Sequence, residues 1–316
     1  MSMSKYLLRR FAGSAVGFLV LSIAVFAMVR LIPGSVEDAY FGTEGASEAV
    51  REAFRQRYGL DDPLPVQYLT YMRNLFEGDL GYSIRVQQPV AEALVEKLQP
   101  SLELAASAMF ISLVVAFVAG TIAALREGRT LDRVISMHSL LGVSVPDFLM
   151  GILLIALVAT SVPAIPIFGY APLSAGLYEW ARHMLLPAFS LAFVLIGYLT
   201  RLVRSSVIET LRSDHVRTAR GKGLASGPLL VHHIVRPSLI PIVTTTGVLF
   251  VGAIGGVVVI EQVFAIPGVG RLVLEAIRWR DFALVQGATL AIGTFAIVVN
   301  LLVDLSYRLI DPRVKG

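Results

Sequence analysis

The sequence predicts an all-helical, polytopic membrane protein with six transmembrane helices and both termini in the cytoplasm. Hydrophobic residues make up 55% of the 316 and charged ones only 16%, with a mean hydropathy of +0.72. A water-soluble globule could not bury that much apolar surface. Six apolar runs reach or approach the roughly 20 residues needed to cross a bilayer. They cover residues 11–29, 104–125, 134–162, 184–199, 239–260 and 284–303. The basic residues gather in alternate intervals between these runs, and short cytoplasmic loops are the ones that concentrate Lys and Arg.

The first run follows Lys5, Arg9 and Arg10 and leaves into Arg30, Leu31, Ile32 and Pro33 without a small-residue cleavage pattern. It is therefore expected to be a retained span rather than a secretory peptide. The interval 33–100 is too long for a simple connection. Within it, 65–76 and 89–98 are predicted as short helices, the second with Val90, Leu94 and Leu98 at fourfold spacing as a packing stripe. Together they form an outer cap, which either receives a soluble partner or packs on the membrane region. The expected division is thus 1–100, a first span plus external cap, and 101–316, a core of five spans.

The third run holds the only ionisable residues within the six, His138 and Asp147. Asp147 follows Pro146 near the middle, where an unpaired carboxylate is costly and must face protein or water. Three readings fit it: contact with a cationic amino terminus or metal ion in transit, capping of a half-helix restarted by Pro146, or a third run shifted so that Asp147 lies nearer the interface. His138 lies nearer the end and reads as structural. The fourth run is short and borrows flanking residues. After the fifth, Glu261 leads into a stretch with Pro267, Gly268 and Gly270, which interrupts a helix and favours a re-entrant or tightly turned backbone. Asp147, Glu261, Pro267, Gly268 and Gly270 are the candidate gate and pathway residues.

Lys5, Arg9 and Arg10 fall on one side of the membrane with Arg126, Arg129 and Arg133, with the interval 201–237, and with Arg308, Arg313 and Lys315. The short loops opposite hold Arg182 and the group Arg271, Arg278 and Arg280. The richer side is the cytoplasm. This topology accounts for the pI near 9.4 without nucleic acid.

The interval 201–237 carries Arg201, Arg204, Arg212, Arg217, Arg220, Lys222 and Arg236 against Glu209 and Asp214. Ser213 or Asp214 can cap a short helix, Val216 and Ala219 sit three apart on one face, and Gly223 supplies the positive φ that ends helices. Ser226 with Pro228 offers a second start. A short amphipathic helix of this kind can lie in a partner's groove, with Val216, Ala219 and Leu224 as its apolar contacts and the arginines setting orientation. The alternative is a solvated basic loop that only sets topology.

With no cysteine in the chain, disulfides, thiol catalysis and cysteine metal sites are excluded. Arg220, Gly221, Lys222 and Gly223 lack the upstream glycine and the hydroxyl of a phosphate loop, so the chain is not expected to hydrolyse nucleotide itself. His232 and His233 are adjacent, off one helical face, and make a poor metal pair. The scarcity of ionisable groups in the runs argues against a proton relay, and no nucleophile and base can be assembled from them.

Several blocks carry a resemblance that runs nearly end to end. KYLLRRF, FAMVRLIPG and YGLDDPLPVQYLTYMRNLFEGDLGYSIRVQQPVAEALVEKLQPSLELA in the first half, then LLPAFSLAF, YLTRLVRSSVIETLRSDHVRTARGKGL, VVVIEQVFAIPGVGRLVLEAI, RDFALVQG and NLLVDLSYRLIDPRVKG, resemble permeases of the peptide and nickel class of ATP-binding-cassette importers. The resemblance implies a type I importer fold in a bacterial inner membrane. It also implies a second homologous permease, two cytoplasmic ATPase subunits that use the ATP and magnesium, and an extracytoplasmic substrate-binding protein. No cofactor is implied in this chain.

The family's loop signature, glutamate-alanine-alanine with a glycine four residues on, maps onto Arg217, Thr218, Ala219 and Gly223, the form the peptide branch resembles. ATPase coupling is thereby assigned to Asp214, His215, Val216, Arg217, Thr218, Ala219, Arg220, Gly223 and Leu224. His215 stands where tyrosine is common. Gly221 stands where alanine is common and is expected to soften the helix by about 1 kcal/mol. Di- or oligopeptides are the implied substrates, nickel uptake is the alternative within the family, and a self-sufficient channel or secondary transporter is the rival from another class.

Overall fold

The computed structural model describes residues 3–31, 41, 47–83, 85–162 and 164–310. Pro33, where the first long interval begins, and Arg313 and Lys315 lie outside them. The described chain is nearly all helix and divides into two compact units. Five helices are long and apolar enough to cross a membrane, or six if one bent pair counts as a single span.

One unit comprises Met1–Gln99 and Gly268–Leu301. Helix α1, Met3–Leu31, is followed by the polar α2, Glu48–Tyr58, and by α3, Leu64–Phe76. A two-residue hairpin comes next, β1 Tyr82–Ser83 and β2 Gln88–Pro89, pairing Tyr82 with Pro89 and Ser83 with Gln88. Helix α4 begins directly after it, at Val90. Val90, Ala93 and Leu94 pack against Val269, Leu272 and Ala276 of α10 (Val269–Trp279), and against Leu284, Val285 and Ala288 of α11 (Phe282–Ile310). The α10–α11 corner turns on Arg280 in the left-handed region, φ 56°. Asp281 fixes that corner: its Oδ1 accepts from Leu284 N, capping α11, and its Oδ2 accepts from Ser83 Oγ at 2.5 Å.

The other unit comprises Pro100–Pro267 and Leu302–Gly316. It holds the rest of α4 (Val90–Leu125), α5 (Thr130–Ser144), α6 (Asp147–Ser161), α7 (Leu177–Leu211), the short α8 (Asp214–Gly221) and α9 (Arg236–Val263). Helix α7 is the hub, packed on α5, α6 and α9. Glycines let it approach closely. A Cβ on Gly197 would come within 2.6 Å of Ser139 O, and one on Gly142 within 3.0 Å of Phe193 O, so α5 and α7 cross backbone to backbone. Gly120 gives α4 the same access, since its Cβ would meet Thr200 O at 2.8 Å. Such small-residue crossings replace the hydrophobic drive that lipid cannot supply.

One expectation is corrected. The predicted helix at 89–98 is not separate: it is the first part of the 36-residue α4, which runs through Pro100 into the second span. Pro100 costs one backbone bond, a loss that a long packed helix absorbs. The third run breaks at Pro146, in keeping with the reading of a restarted half-helix, and α5 and α6 meet there at 105°. Val145 is extended, φ −98° and ψ 120°, as the residue before a proline must be, and Pro146 restarts the helix with φ −58°. The short fourth run borrows turns at both ends to become the 35-residue α7.

Candidate functional site

The polar interval folds as the sequence indicates. Helix α7 stops at Arg212, Ser213 takes the extended N-cap conformation (φ −71°, ψ 150°), and α8 begins at Asp214, whose carboxylate sits in the first turn where the helix dipole favours negative charge. Ser213 Oγ caps backward, onto Thr210 O. At the other end Gly223, φ 76°, lets its own N–H bond Arg220 O while Leu224 N bonds Ala219 O, a closed helix terminus. Gly221 is the last residue of α8. The softening expected of a glycine inside the helix therefore does not apply there.

The face that α8 offers is not the expected one. Val216 and Ala219 are buried within this chain, in a cluster with Val203, Val207 and Ile208 of α7, Leu229 and Ile234 of the following segment, and Ile242 of α9. Asp214, His215, Arg217, Thr218, Arg220, Lys222 and Gly223 are exposed, with Leu224 as the accessible apolar side chain. The reason is geometric. A helix of 8 residues cannot bury one stripe twice, and the pocket between α7 and α9 takes it.

His215 makes a second tie. Its Nε2 lies 3.2 Å from the carbonyl of His233, the carbonyl that Pro237, four residues on, has no N–H to satisfy. That stretch, Leu229–Val235, is a π-helical segment leading into α9. Beneath it, Thr210 and Ser238 hydroxyls meet at 3.0 Å between α7 and α9.

Ion pairs not evident from the sequence brace the same end. Arg204 of α7 grips Asp132 of α5 with both prongs, Nε to Oδ1 at 2.6 Å and Nη2 to Oδ2 at 2.8 Å, and Gly128 N also donates to Oδ2. Arg212 reaches Glu127 at 2.8 Å. A cleft of about 570 Å³ opens between these groups, lined by Glu127, Arg204, Glu209 and Arg212 among others.

Of the pathway candidates, Asp147, Glu261 and Pro267 fall elsewhere in this unit, while Gly268 and Gly270 belong to the other. Asp147 occupies the first position of α6; its Oδ1 accepts from Phe148 N at 2.8 Å, and its Oδ2 lies against Gly256 of α9, where a Cβ would collide with it. Glu261, fully buried five residues further along α9, accepts from Ser101 Oγ at 2.5 Å. The backbone then leaves the helix through Ala265 at φ 56° and Pro267, and Gly268 caps α10, in which Gly270 is buried. The sequence reading passed over Glu103, one residue before the second apolar run. It accepts from Tyr170 Oη at 2.9 Å and from Trp180 Nε1 at 2.7 Å. Burial, with that carboxylate beside it, pushes the Tyr170 phenol up to about 12. A carboxylate at the edge of an apolar run was the available signal; its Tyr and Trp partners lie 67 and 77 residues further on. His138 turns inward on its own helix, with Nδ1 at 2.9 Å from Val134 O, and the described residues contain no group of three His, Cys, Asp or Glu placed to hold a metal.

Long apolar helices, glycine-mediated crossings and a short helix braced between two of the long ones are the frame that residues 3–105 and 116–316 build. The family description "Binding-protein-dependent transport system inner membrane component" matches residues 116–316, and its N-terminal counterpart matches 3–105; the chain belongs to this family, the permeases of ATP-binding-cassette importers. It is 39% identical, over 99% of both chains, to a putative peptide transport system permease protein of Brucella abortus. It is 36% identical to a probable peptide ABC transporter permease of Sinorhizobium fredii, over 99% of this chain and all of that one. Against the dipeptide transport system permease protein of Bacillus subtilis the identity is 35%, over 99% and 98%. The fold is similar to the inward-facing MetNI methionine ABC transporter, with TM-score 0.55 and 14% identity over 69% of this chain and 96% of that one. An amino acid ABC transporter gives 0.54 and 12%, over 69% and 94%.

Proposed function

We propose that the chain is a peptide-importer permease forming half of a translocation pathway in a bacterial inner membrane. In this reading it crosses six times, counting α5 and α6 as one bent span, with both termini in the cytoplasm. Residues 101–316 form the permease core, and 1–100 supply the first span and outer elements. A second homologous permease completes the pathway, an external binding protein delivers the substrate, and two cytoplasmic ATPase subunits bind the ATP and magnesium, no ATPase site being assigned to this chain. Di- or oligopeptides are the proposed cargo, since the relatives similar along their whole length are named for peptides and dipeptides.

The observation that carries the coupling role is the packing of α8. Burial of Val216 and Ala219 between α7 and α9 ties the short helix to two long ones, so a push on its exposed side moves both. Interiors at this density transmit displacement rather than absorb it. Asp214, His215, Arg217, Thr218, Arg220, Gly223 and Leu224 supply the outer, largely basic surface for the ATPase, while Val216 and Ala219 act as its anchor. Asp147, Glu261, Pro267, Gly268 and Gly270 are assigned to the gate and pathway.

The test is co-purification of the ATPases together with binding-protein-stimulated hydrolysis in reconstituted vesicles. Gly223→Val forces a β-branched residue to φ 76°, and Arg217→Glu reverses an exposed charge. Both are expected to weaken ATPase association or to uncouple hydrolysis from uptake, with insertion unchanged. Full coupling in both variants would reduce the segment to a basic loop, and transport by the purified chain alone would make it a self-sufficient carrier.

A further inference from the structure

We infer that α3 lies in the membrane interface with one face immersed in lipid, rather than standing as part of a water-exposed cap. The inference rests on the reading of α1 as a bilayer span. Helix α3 has three distinct sides. Gln67, Tyr68 and Tyr71 face α1: Gln67 Oε1 accepts from Arg30 Nε at 3.1 Å and Nη2 at 2.6 Å, the Tyr68 hydroxyl meets Ser22 Oγ at 2.8 Å, and the rings of Tyr68 and Tyr71 lie 5.4 and 5.8 Å from that of Phe26. Thr70, Arg73, Asn74 and Glu77 recur at helical spacing on a polar side, where Arg73 pairs with Glu77 at 2.9 Å. Pro65, Leu69, Met72 and Phe76 recur at i, i+4, i+7 and i+11 on the third side. Leu69 and Phe76 on that side are 67% and 79% exposed.

Depth identifies what covers the third side. Ser22 lies nine residues before Leu31, about 13 Å below the end of α1 at ~1.5 Å per residue. The apolar part of α1 is the 25-residue stretch Leu7–Leu31, longer than a hydrocarbon core of about 30 Å, so a contact at Ser22 is within the core. The chain does not climb away afterwards, for Leu80 packs at Gly287, five residues inside the start of α11. Helix α3 is therefore held beside the last turns of α1, with Tyr68, Tyr71 and Arg30 where amphipathic side chains mark a membrane boundary. Val20 and Ile23 of α1 are likewise exposed, as apolar residues of a bilayer span are. A protein side, a water side and a lipid side are the requirements of an interfacial helix. By contrast α2, EAVREAFRQRY, has five charged residues among eleven, and its exposed Glu52 serves as the water-facing reference.

The absence of cysteine makes the test direct. Single variants Leu69→Cys, Phe76→Cys, Glu52→Cys and Val20→Cys of the full chain are labelled with a nitroxide in phospholipid vesicles. Collision with oxygen is then compared with collision with a water-soluble nickel chelate. Positions 69 and 76 are expected to favour oxygen, as Val20 does, while Glu52 favours the chelate by severalfold. Chelate-dominated collision at 69 and 76 with Val20 still in lipid would overturn the interfacial placement and assign the face to a soluble protein. Chelate access at Val20 as well would instead overturn the spanning reading of α1. Phe76→Leu, which keeps the apolar stripe, serves as a folding control by elution volume.

Discussion

Asp132 and Arg204 are 72 residues apart in the chain and pair at 2.6 Å. Asp132 is only 4% exposed, whereas the Arg204 side chain keeps about a third of its surface. The two partners are therefore unequal. Removing Arg204 leaves a buried carboxylate with Gly128 N and Ser136 Oγ as remaining donors; removing Asp132 leaves a guanidinium that can still reach water. Arg204→Ala is expected to destabilise the unit by about 3 kcal/mol and Asp132→Ala by less, on the order of 2 kcal/mol. The double variant should cost less than the sum. Thermal unfolding of the three variants in detergent measures this ordering, and equal losses would mean that the pair is solvated. His215 illustrates the same dependence on distant sequence. Its departure from the common tyrosine is legible, but its partner carbonyl at His233 is exposed only by the later proline.

Among elements, the α5–α7 crossing is where side chains have no room at all. Gly197→Ala would press a methyl onto Ser139 O and Val143 N, both backbone atoms that cannot swing aside. A cost of about 2 kcal/mol or more is expected, at the upper part of the range for overpacking. Gly252→Ala in α9 is the matched comparison, because nothing lies within 4 Å of its added Cβ, and better helix propensity should leave it neutral or up to about 1 kcal/mol more stable. Unfolding midpoints of the two variants should therefore move in opposite directions or at least differ clearly; equal shifts would show that the crossing is loose. Nothing in the sequence distinguishes these two glycines, both of which sit in apolar helices.

For the whole molecule the prediction is topological. A reporter fused after Arg220 or Lys315 is expected to behave as cytoplasmic, and one inserted near Glu77 as external, on span length and basic-residue placement alone. An external Lys315 would break the six-span reading. The bend at Pro146 does not alter this parity if α5 and α6 together cross once. If they instead return to the side they entered from, the reporters at Arg220 and Lys315 would report the side opposite to the expected one.

The sequence by itself determined what depends on composition and on local backbone chemistry: a helical membrane chain, its apolar runs, a helix start at Ser213 or Asp214, the stop at Gly223 and a break near Pro146. Those features follow from residue type and short spacing. The family blocks were likewise legible because they lie in order along the chain. Only the tertiary structure decided which face each helix turns inward. Val216 and Ala219 share a stripe in any reading, yet whether that stripe meets a partner or α7 and α9 depends on surfaces contributed by residues 203–208 and 229–242. The angle at Pro146, the pairing of Arg204 with Asp132 and the placing of Tyr68 against Ser22 are of the same kind. Each depends on elements far apart in sequence, whose approach is set by packing in three dimensions and leaves no periodic trace in the chain.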